Sequence, residues 1–465
     1  MKEYISPVSV IDAIGVENQE NLLLKQSLQI GLNEEKTAVF EKGSHIILDF
    51  GCDMHGGVRI LTFSSEMAGV RLRFGESLEE CSSDIGSEKN ATNDHSLRDF
   101  FVELPSYSDM TFGSTGFRFV RLDFEGRAVI KSVVCENNIL KKRAVYTYSG
   151  DDKCIKQIYD VAKRTIDLCA SGEYIWDGVK RDRLVWIGDM HPETMALLTL
   201  YKEFPAIEKS LDFVKEQTPL PAWMNTYPVY SMWWVIILAD YYKETGRKAF
   251  VKKQLDYLNA LIEQMLLHVD ERGEMSYPVY FVDWSTYSTP DAVHGQRAIN
   301  IMATKSALYL LKEFGKDTNR AKTLLDRLLK IEICPENSKQ VLGLKFFATG
   351  LCENDKRALV KDGASGMSTF MSYYILKAVA SFDKKTAVSM MKEFYGAMLS
   401  KGATTFWEDF DMSWVENTCR IDEFCPDGKK DIHGDFGAWC YKGFRHSLCH
   451  GWSAGVLKFI KEECE

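Results

Sequence analysis

The segment DDKCIKQIYDVAKRTIDLC (151–169) decides the fold, because the hydrophobic pattern of the chain changes there. Apolar side chains recur three or four residues apart within it, which is the spacing of one helix face. Ser149 and Asp151 precede this stretch and are candidates for its N-cap. The apolar face consists of Ile155, Ile158, Ala162, Ile166 and Cys169. The sequence therefore predicts an amphipathic helix that opens a helical region.

Before this segment the pattern has a period of two. VRLRF (70–74) places its apolar residues on one face and its arginines on the other, as in a half-buried strand. HIILDF (45–50) and GGVRILTF (56–63) are similar runs bounded by Gly or Asp. In FRFVRLDF (117–124) the apolar phase slips after Phe119, which predicts a bulge or a change of face. Residues 1–145 are therefore predicted to form an antiparallel β-sandwich with no convincing helix.

After this segment the pattern is helical to the end of the chain. Stretches that are apolar nearly all round alternate roughly with amphipathic ones, as an inner ring of helices wrapped by an outer ring requires. The first kind is found at 228–240, 365–380 and 451–461, and the second at 247–267, 319–331 and 384–400. About twelve such helices predict an (α/α)6 barrel over residues 146–465, with an irregular α-helical bundle as the alternative.

Bulk properties exclude several classes of protein. A net charge of −9 without a basic stripe argues against a nucleic-acid partner. The N-terminus lacks the apolar core of a signal peptide, and VYSMWWVIILA (229–239) is too short to span a bilayer. Twelve cysteines without a C-x-x-C pair predict reduced thiols and a cytoplasmic location. The oligomeric state stays open, a homo-oligomer included.

A cluster of thiols and imidazoles near the C-terminus raises the question of a metal site. It consists of Cys419, Cys425, His433, Cys440, His446, Cys449 and His450. Zinc sites bring closely paired ligands, and this spacing has none. Buried thiols and hydrogen-bonded histidines are the favoured interpretation, with a metal site as the alternative.

Three segments carry concentrated chemistry at predicted helix ends. WDGVKRDRLVWIGD (176–189) holds three aspartates, three basic residues and two tryptophans. This composition fits either a salt-bridged turn or the wall of a site for a polar ligand. KGATTFWEDFDMSW (401–414) sets Glu408 beside Trp407, and an apolar neighbour raises the pKa of a carboxyl. FRHSLCHGWSAG (444–455) places two histidines before the last helix, where capping or core packing is the alternative to a site.

Together these segments resemble the α-L-rhamnosidases of glycoside hydrolase family 78. The resemblance rests on DGVKRDRLVWIGD, GATTFWED and SLCHGWSAG in the helical part, and more weakly on ILDFGCDMHGGVRI, RLRFGESLE and GFRFVRLDFEG in the first part. It therefore spans most of the chain and implies the same order of β-sandwich and barrel.

The resemblance also implies roles for individual residues. Asp182 falls at the position of the general acid and Glu408 at that of the general base. The substrate-binding positions fall on Asp177, Arg181, Trp186, Asp189, Trp284, Trp407 and His450, with the match at Trp284 a loose one. The implied reaction is inverting hydrolysis that removes terminal rhamnose from short glycosides or oligosaccharides, without metal or organic cofactor.

Three departures from the family pattern matter. The general acid is usually a glutamate, and Asp182 is one methylene shorter. Val185 stands where the family usually has glycine. The chain also ends about fifteen residues after His450, without the C-terminal β-domain of many members, which predicts a compact form that acts on short glycosides.

Two other functions stay open. One is a different enzyme on the same barrel, such as an unsaturated-uronide hydrolase or a lyase, which would recruit Tyr227, Tyr230 and Arg181. The other is a catalytically silent sugar-binding protein, because the shortened acid at Asp182 allows a loss of activity.

Overall fold

The computed structural model describes residues 3–86, 89–287, 289–336, 338–434, 436–437 and 442–465. An antiparallel β-sandwich precedes an (α/α)6 barrel, so the predicted fold class is confirmed. The sandwich comprises β1 (Glu3–Ile5), β2 (Ser9–Glu17), β3 (Ala38–Ser65), β4 (Ala68–Gly75), β5 (Asp99–Leu104), β6 (Ser108–Phe124), β7 (Ala128–Asn137) and a short helix, α1 (Leu78–Ser82).

One long strand shapes the sandwich. The two predicted strands at 45–50 and 56–63 are parts of β3, which runs for 28 residues. Both Phe40 and Ser65 of β3 pair with Ala128 of β7, so the strand must turn until its two ends lie at the two edges of the same β7 segment. The turn lies where pairing with β6 is irregular, and Gly51 there has a φ of 81°, which glycine adopts without a steric penalty.

The change of apolar phase that the sequence predicts after Phe119 corresponds to an irregularity in the pairing of β6 that begins two residues earlier. Pairing with β3 is interrupted between Phe117 and Phe119. Val120 packs in the main sandwich core, whereas Phe119 packs on the other face beneath Leu78 of α1. Both faces of β6 are buried here because α1 covers the second one. The sequence did not predict α1, since five residues are too few for a helical period to be read.

Twelve α-helices follow in the described part of the chain. They are α2 (Lys153–Cys169), α3 (Met190–Tyr201), α4 (Pro205–Gln217), α5 (Pro228–Thr245), α6 (Lys248–Leu267), α7 (Asp291–Glu313), α8 (Asn319–Leu328), α9 (Lys339–Ala348), α10 (Glu353–Val360), α11 (Ser372–Ala380), α12 (Lys384–Ser400) and α13 (Val456–Glu463). Two short strands, β8 (Thr418–Cys419) and β9 (Lys430–Asp431), pair in parallel in the long segment before α13.

Some helix ends differ from the prediction. The N-cap of α2 is Asp152, whose carboxylate accepts hydrogen bonds from the backbone N–H groups of Cys154 and Ile155. Residues 365–371 are not helical; Gly366 has a φ of 78°, and α11 starts only at Ser372. Residues 451–455 form a 3₁₀ turn before α13.

The connection between the two regions is short. β7 ends at Asn137 and α2 begins at Lys153, so the predicted domain boundary between 145 and 146 falls in the connecting segment. The division into two domains at that point stays a prediction. Among the described residues, no helix is both long enough and apolar enough to cross a membrane.

A mutation at the buried Phe117 tests how much the core packing stabilises the sandwich. Its buried ring packs edge-on against Phe50 and Phe74, at centroid distances of 5.7 and 4.9 Å. We expect Phe117→Ala to lower the free energy of unfolding of the sandwich by about 3–5 kcal/mol, because it leaves a cavity in the core. The exposed Phe101 on β5 is the matched control, and Phe101→Ala is expected to cost less than about 0.5 kcal/mol.

Hydrogen exchange followed by mass spectrometry measures both variants. All ten tryptophans lie after residue 145, so tryptophan fluorescence reports on the barrel and not on the sandwich. Equal protection of the β3 and β6 amides in the two variants would contradict the role of Phe117 in the core.

Candidate active site

A cavity of about 260 Å³ opens at one end of the barrel. Its walls come from loops that lie far apart in the sequence, before α3, before α5, before α7, after α12 and before α13. The lining residues are Asp177, Arg181, Asp182, Trp186, Asp189, Tyr227, Tyr230, Trp284, Glu408, Arg445, His450 and Trp452.

Eight of the nine predicted site residues line this cavity. The exception is Trp407, which is buried and packs edge-on against Phe410. Trp407 and Glu408 are adjacent in the chain, but Glu408 lines the cavity, whereas Trp407 packs in the core of the barrel.

Four lining residues were not assigned to the site by the motifs. Tyr227 and Tyr230 entered the sequence analysis only as candidates for a lyase. Arg445 and Trp452 lie inside the quoted FRHSLCHGWSAG stretch, close to His450, and that proximity was the available signal. The tyrosines stand at the start of an apolar helix and carry no comparable signal.

The loop 176–189 is closed by its own first aspartate. Asp177 accepts a hydrogen bond at Oδ1 from the backbone N–H of Leu184 (3.0 Å), and its own N–H donates to the carbonyl of Leu184 (3.2 Å). The Asp177 carbonyl accepts from Gly451 N–H (2.7 Å), which joins the loop to the segment before α13. The turn thus formed carries Asp182 and Arg183, both with a φ of 54°.

Arg181 links the two predicted catalytic carboxyls. Its Nη1 lies 3.1 Å from Asp182 Oδ1, and its Nη2 lies 2.5 Å from Glu408 Oε1. Its Nε donates to the carbonyl of Arg445 (2.7 Å). Arg181 and Glu408 are both 5% exposed, so this ion pair is largely shielded from water. The planar guanidinium therefore sets the spacing of the two carboxyls.

Glu408 is held at both oxygens. Its Oε2 accepts a hydrogen bond from Ser447 N–H (3.0 Å), and its Oε1 faces Arg181. Burial raises the pKa of Glu408 above its usual value, while the positive charge of Arg181 and the Ser447 hydrogen bond act in the opposite direction. Burial is the largest of these effects, and Arg181 is the cationic partner of the carboxylate.

The floor of the cavity is made of carboxyls around an imidazole. His450 Nε2 lies 3.9 Å from carboxyl oxygens of Asp177, Asp189 and Glu408. Burial raises the pKa of Asp177 and Asp189 well above the usual range. Burial, followed by the charge of Arg181, holds the pKa of His450 well below its usual value. A neutral imidazole and protonated carboxyls can each donate and accept hydrogen bonds.

Three buried side-chain nitrogens at this site suggest a polar ligand. Within the described residues, His450 Nδ1, Trp186 Nε1 and Arg445 Nη1 have no hydrogen-bond partner. A buried polar group without a partner costs about 1–3 kcal/mol. Trp186 also stands edge-on to Tyr230 at 6.1 Å, so the wall combines apolar faces with unused polar atoms. Ligands that carry both hydroxyl groups and C–H faces suit such a wall.

Three groups of residues bring possible metal ligands within 4.8 Å of one another. The group Glu76, Glu80 and His433 already surrounds Lys180, whose Nζ lies 2.9 Å from Glu80 Oε1 and 3.3 Å from Glu76 Oε2. An ammonium thus lies where a metal cation would bind. The other groups are Asp177, Asp189 and His450 in the cavity, and Cys419, Cys425 and Asp431, while Cys440 of the predicted cluster lies outside the described residues.

The buried ion pairs of Lys180 join the sandwich to the cavity. Lys180 Nζ donates to the carbonyl of His446 (2.6 Å), and Glu76 accepts from Leu448 N–H (2.6 Å). Both contacts hold the segment whose Ser447 N–H donates to Glu408. Burial lowers the pKa of Lys180 to about 7, and the charge of Glu76 opposes that shift.

Comparison with known proteins agrees with the motif resemblance. Residues 143–327 match the model of the bacterial alpha-L-rhamnosidase six-hairpin glycosidase domain. Comparison with curated proteins gives no match. Among solved structures, a rhamnosidase from Klebsiella oxytoca with rhamnose bound superposes with a TM-score of 0.75 at 16% identity, covering 100% of this chain and 96% of that one.

Two larger structures share the fold. The GH78 family rhamnosidase of Bacillus sp. GL1 has a TM-score of 0.73 at 17% identity, and covers 96% of this chain and 48% of its own. The Streptomyces avermitilis α-L-rhamnosidase complexed with L-rhamnose has a TM-score of 0.65 at 17% identity, with coverages of 90% and 42%. This chain thus spans nearly all of the Klebsiella protein but less than half of the other two.

Removal of the Arg181 cation tests the electrostatics of the site. We expect Arg181→Gln to raise the pKa of Glu408 further, because the guanidinium stabilises the carboxylate form. The measurement is the infrared carboxylate band as a function of pH, with the spectrum of Glu408→Gln subtracted to isolate Glu408. Arg183→Gln is the matched control, since Arg183 donates to the carbonyls of Ser114 and His95. A lowered or unchanged pKa in Arg181→Gln would contradict the assigned balance.

Proposed function

We propose that the chain is an inverting exo-α-L-rhamnosidase, because residues 143–327 match the model of the bacterial alpha-L-rhamnosidase six-hairpin glycosidase domain. Its substrates are short glycosides or oligosaccharides that end in α-L-rhamnose. One observation carries the proposal: Asp182 and Glu408, which come from distant segments, meet on the guanidinium of Arg181 beside a small polar cavity.

The arrangement of the two carboxyls supports separate acid and base roles. An inverting glycosidase needs its acid and base roughly 6.5–9.5 Å apart, so that a water fits between the base and the sugar. Asp182 Oδ1 and Glu408 Oε1 face different nitrogens, Nη1 and Nη2, of one guanidinium. The stereochemistry of the first product decides between inversion and retention.

The reaction assigns one proton movement to each carboxyl. Asp182 gives its proton to the glycosidic oxygen as the bond to the anomeric carbon breaks. Glu408 accepts a proton from the water that attacks the opposite face of the sugar. The raised pKa of Glu408 makes it a stronger base than a solvent-exposed glutamate, and Arg181 keeps it ionised in the free enzyme.

The remaining cavity residues suit a single sugar ring. A volume of about 260 Å³ lies below the range of roughly 300–1,000 Å³ of typical drug-sized pockets, which supports an exo mode on a terminal sugar. Asp177, Asp189 and His450 provide donors and acceptors for ring hydroxyls. Trp186 and Trp284 offer apolar faces for the C–H side of the ring and its methyl group.

The alternative enzymes receive less support from the site. A uronide lyase or hydrolase needs a free cation for the substrate carboxylate. Arg181 is committed to Asp182, Glu408 and the carbonyl of Arg445. Arg445 also lines the cavity; its Nη2 pairs with Asp94 (3.0 Å), while its buried Nη1 has no hydrogen-bond partner within the described residues. A lyase would therefore have to use Arg445 together with Tyr227 and Tyr230, which no sequence motif groups.

For its location we propose the cytoplasm, on the strength of the scattered thiols, eleven of which are free within the described residues.

Loss of either catalytic carboxyl tests the assigned roles. We expect Asp182→Asn and Glu408→Gln each to lower kcat on phenyl α-L-rhamnoside by about 10²-fold or more, because each removes a proton-transfer group. The exposed Asp160, which pairs with Lys156 on α2, is the matched control, and Asp160→Asn is expected to leave kcat unchanged. Tight rhamnose binding without turnover in the wild-type protein would favour the silent sugar-binding function instead.

The stereochemistry of the first product tests inversion independently. We expect proton NMR during hydrolysis of an α-L-rhamnoside to show β-L-rhamnose before mutarotation produces the α anomer, since water attacks from the face opposite to the leaving group. Initial formation of α-L-rhamnose would refute inversion and leave the glycosidase assignment intact.

A further inference from the structure

We propose that His95 of the β-sandwich is a positioning residue for the general acid Asp182. His95 lies in the segment between α1 and β5, and its Nδ1 is 3.1 Å from Asp182 Oδ1. The inference rests on the proposed function, because only an acid-assisted reaction requires Asp182 to be oriented. It assigns to the sandwich a direct part in the chemistry of the barrel.

The loop that carries Asp182 requires support from outside. Asp182 and the following Arg183 both have a φ of 54°, in the left-handed region that non-glycine residues seldom occupy. Such conformations cost of order 1–3 kcal/mol each and persist only where surrounding contacts enforce them. Asp182 and Arg183 form the turn that places the short Asp182 side chain at the cavity mouth. Contacts that hold this turn therefore also orient the Asp182 carboxyl.

The sandwich supplies these contacts. The guanidinium of Arg183 donates to the carbonyls of His95 (3.0 Å) and Ser114 (2.9 Å). The Ser96 hydroxyl donates to the carbonyl of Lys180 (3.1 Å). Two hydrogen bonds from side chains thus join the chain at His95 and Ser96 to the chain at Lys180 and Arg183, on the two sides of Asp182. The distance between the side chains of His95 and Asp182 follows from this double attachment.

The contacts to Asp182 decide where its proton lies. Oδ1 lies 3.1 Å from His95 Nδ1 and also 3.1 Å from Arg181 Nη1. An arginine can only donate, and a histidine nitrogen facing the same oxygen is assigned as a second donor. An oxygen that faces two nitrogens in this way is the carbonyl-type oxygen of a protonated carboxyl. We therefore assign the transferred proton to Oδ2, which must face the glycosidic oxygen.

The same two donors act during the reaction. When Oδ2 gives its proton to the glycosidic oxygen and the bond to the anomeric carbon breaks, Asp182 becomes a carboxylate. The nitrogens of His95 and Arg181 stabilise Oδ1 as it gains negative charge. Since Asp182 is one methylene shorter than a glutamate, its reach depends on this anchoring. Side-chain exposures of 31% for His95 and 16% for Asp182 leave His95 accessible to substitution without loss of the core.

Leaving-group dependence separates this role from a purely structural one. The substrates are methyl, phenyl and 2,4-dinitrophenyl α-L-rhamnoside, whose leaving groups need acid assistance in decreasing order. We expect His95→Leu to lower kcat/KM by about 10- to 100-fold on the methyl and phenyl glycosides and by less than about 3-fold on the dinitrophenyl glycoside. The larger losses are part of the rate enhancement of about 10²–10⁴-fold that a general acid supplies.

Two further variants serve as rescue and control. His95→Asn is expected to restore most of the activity, because asparagine tolerates a positive φ like the 65° of His95 and its amide can replace the Nδ1 donor. His45 also forms a pair with an aspartate in the sandwich, at 2.7 Å from Asp12, and His45→Leu is expected to leave all three rates unchanged.

The outcomes distinguish the inference from the proposed function. Losses confined to poor leaving groups, with rescue by His95→Asn, support the positioning role. Active wild-type enzyme with equal losses on all three glycosides, or with none, would overturn this inference alone. Wild-type protein that hydrolyses none of the three would overturn the proposed function and this inference with it.

Discussion

The amino group of Lys180 is buried between the sandwich and the barrel, where burial lowers its pKa to about 7 and an unpaired charge would be very costly. Glu76 and Glu80 of the sandwich pair with it, and the carbonyl of His446 accepts one of its hydrogen bonds. Lys180 immediately precedes Arg181, so the contacts that hold Lys180 also restrict the position of the Arg181 backbone. This buried ion-pair cluster therefore holds both the loop that carries Asp182 and the segment that supports Glu408. Two of its members, Glu76 and Glu80, belong to the sandwich, so the cluster forms only when the sandwich is folded.

Burial also sets the chemistry of the cavity. Desolvation raises the pKa of the carboxyls of Asp177 and Asp189 and lowers the pKa of the imidazole of His450, so burial favours the uncharged forms of these three groups. A neutral floor with many donors and acceptors suits a neutral polyhydroxylated ring better than a charged ligand. The guanidinium of Arg181 lies against Asp182 and Glu408, the two carboxyls that exchange protons in the proposed reaction.

Prediction from sequence succeeded where the signal was local. The change of period near Asp151 separated strands from helices, and the motifs around Asp182 and Glu408 selected residues that meet in one cavity. Prediction failed for α1, because five residues are too few to show a helical period. It also placed Trp407 in the site, whereas this side chain packs in the core, and a tryptophan in either position looks the same in the sequence. Nothing in the residues around His95 indicates that its partner is Asp182.

The sequence by itself determined the order of β-sandwich and barrel, the helix faces, and the segments that carry the carboxyls, because hydrophobic periodicity and motif spacing are properties of neighbouring residues. Only the tertiary structure decided which charges are paired. Arg181 meets Glu408 across 227 residues, and His95 meets Asp182 across the junction of sandwich and barrel. The interaction of two charges depends on their distance and burial in space, and neither can be read from their separation along the chain.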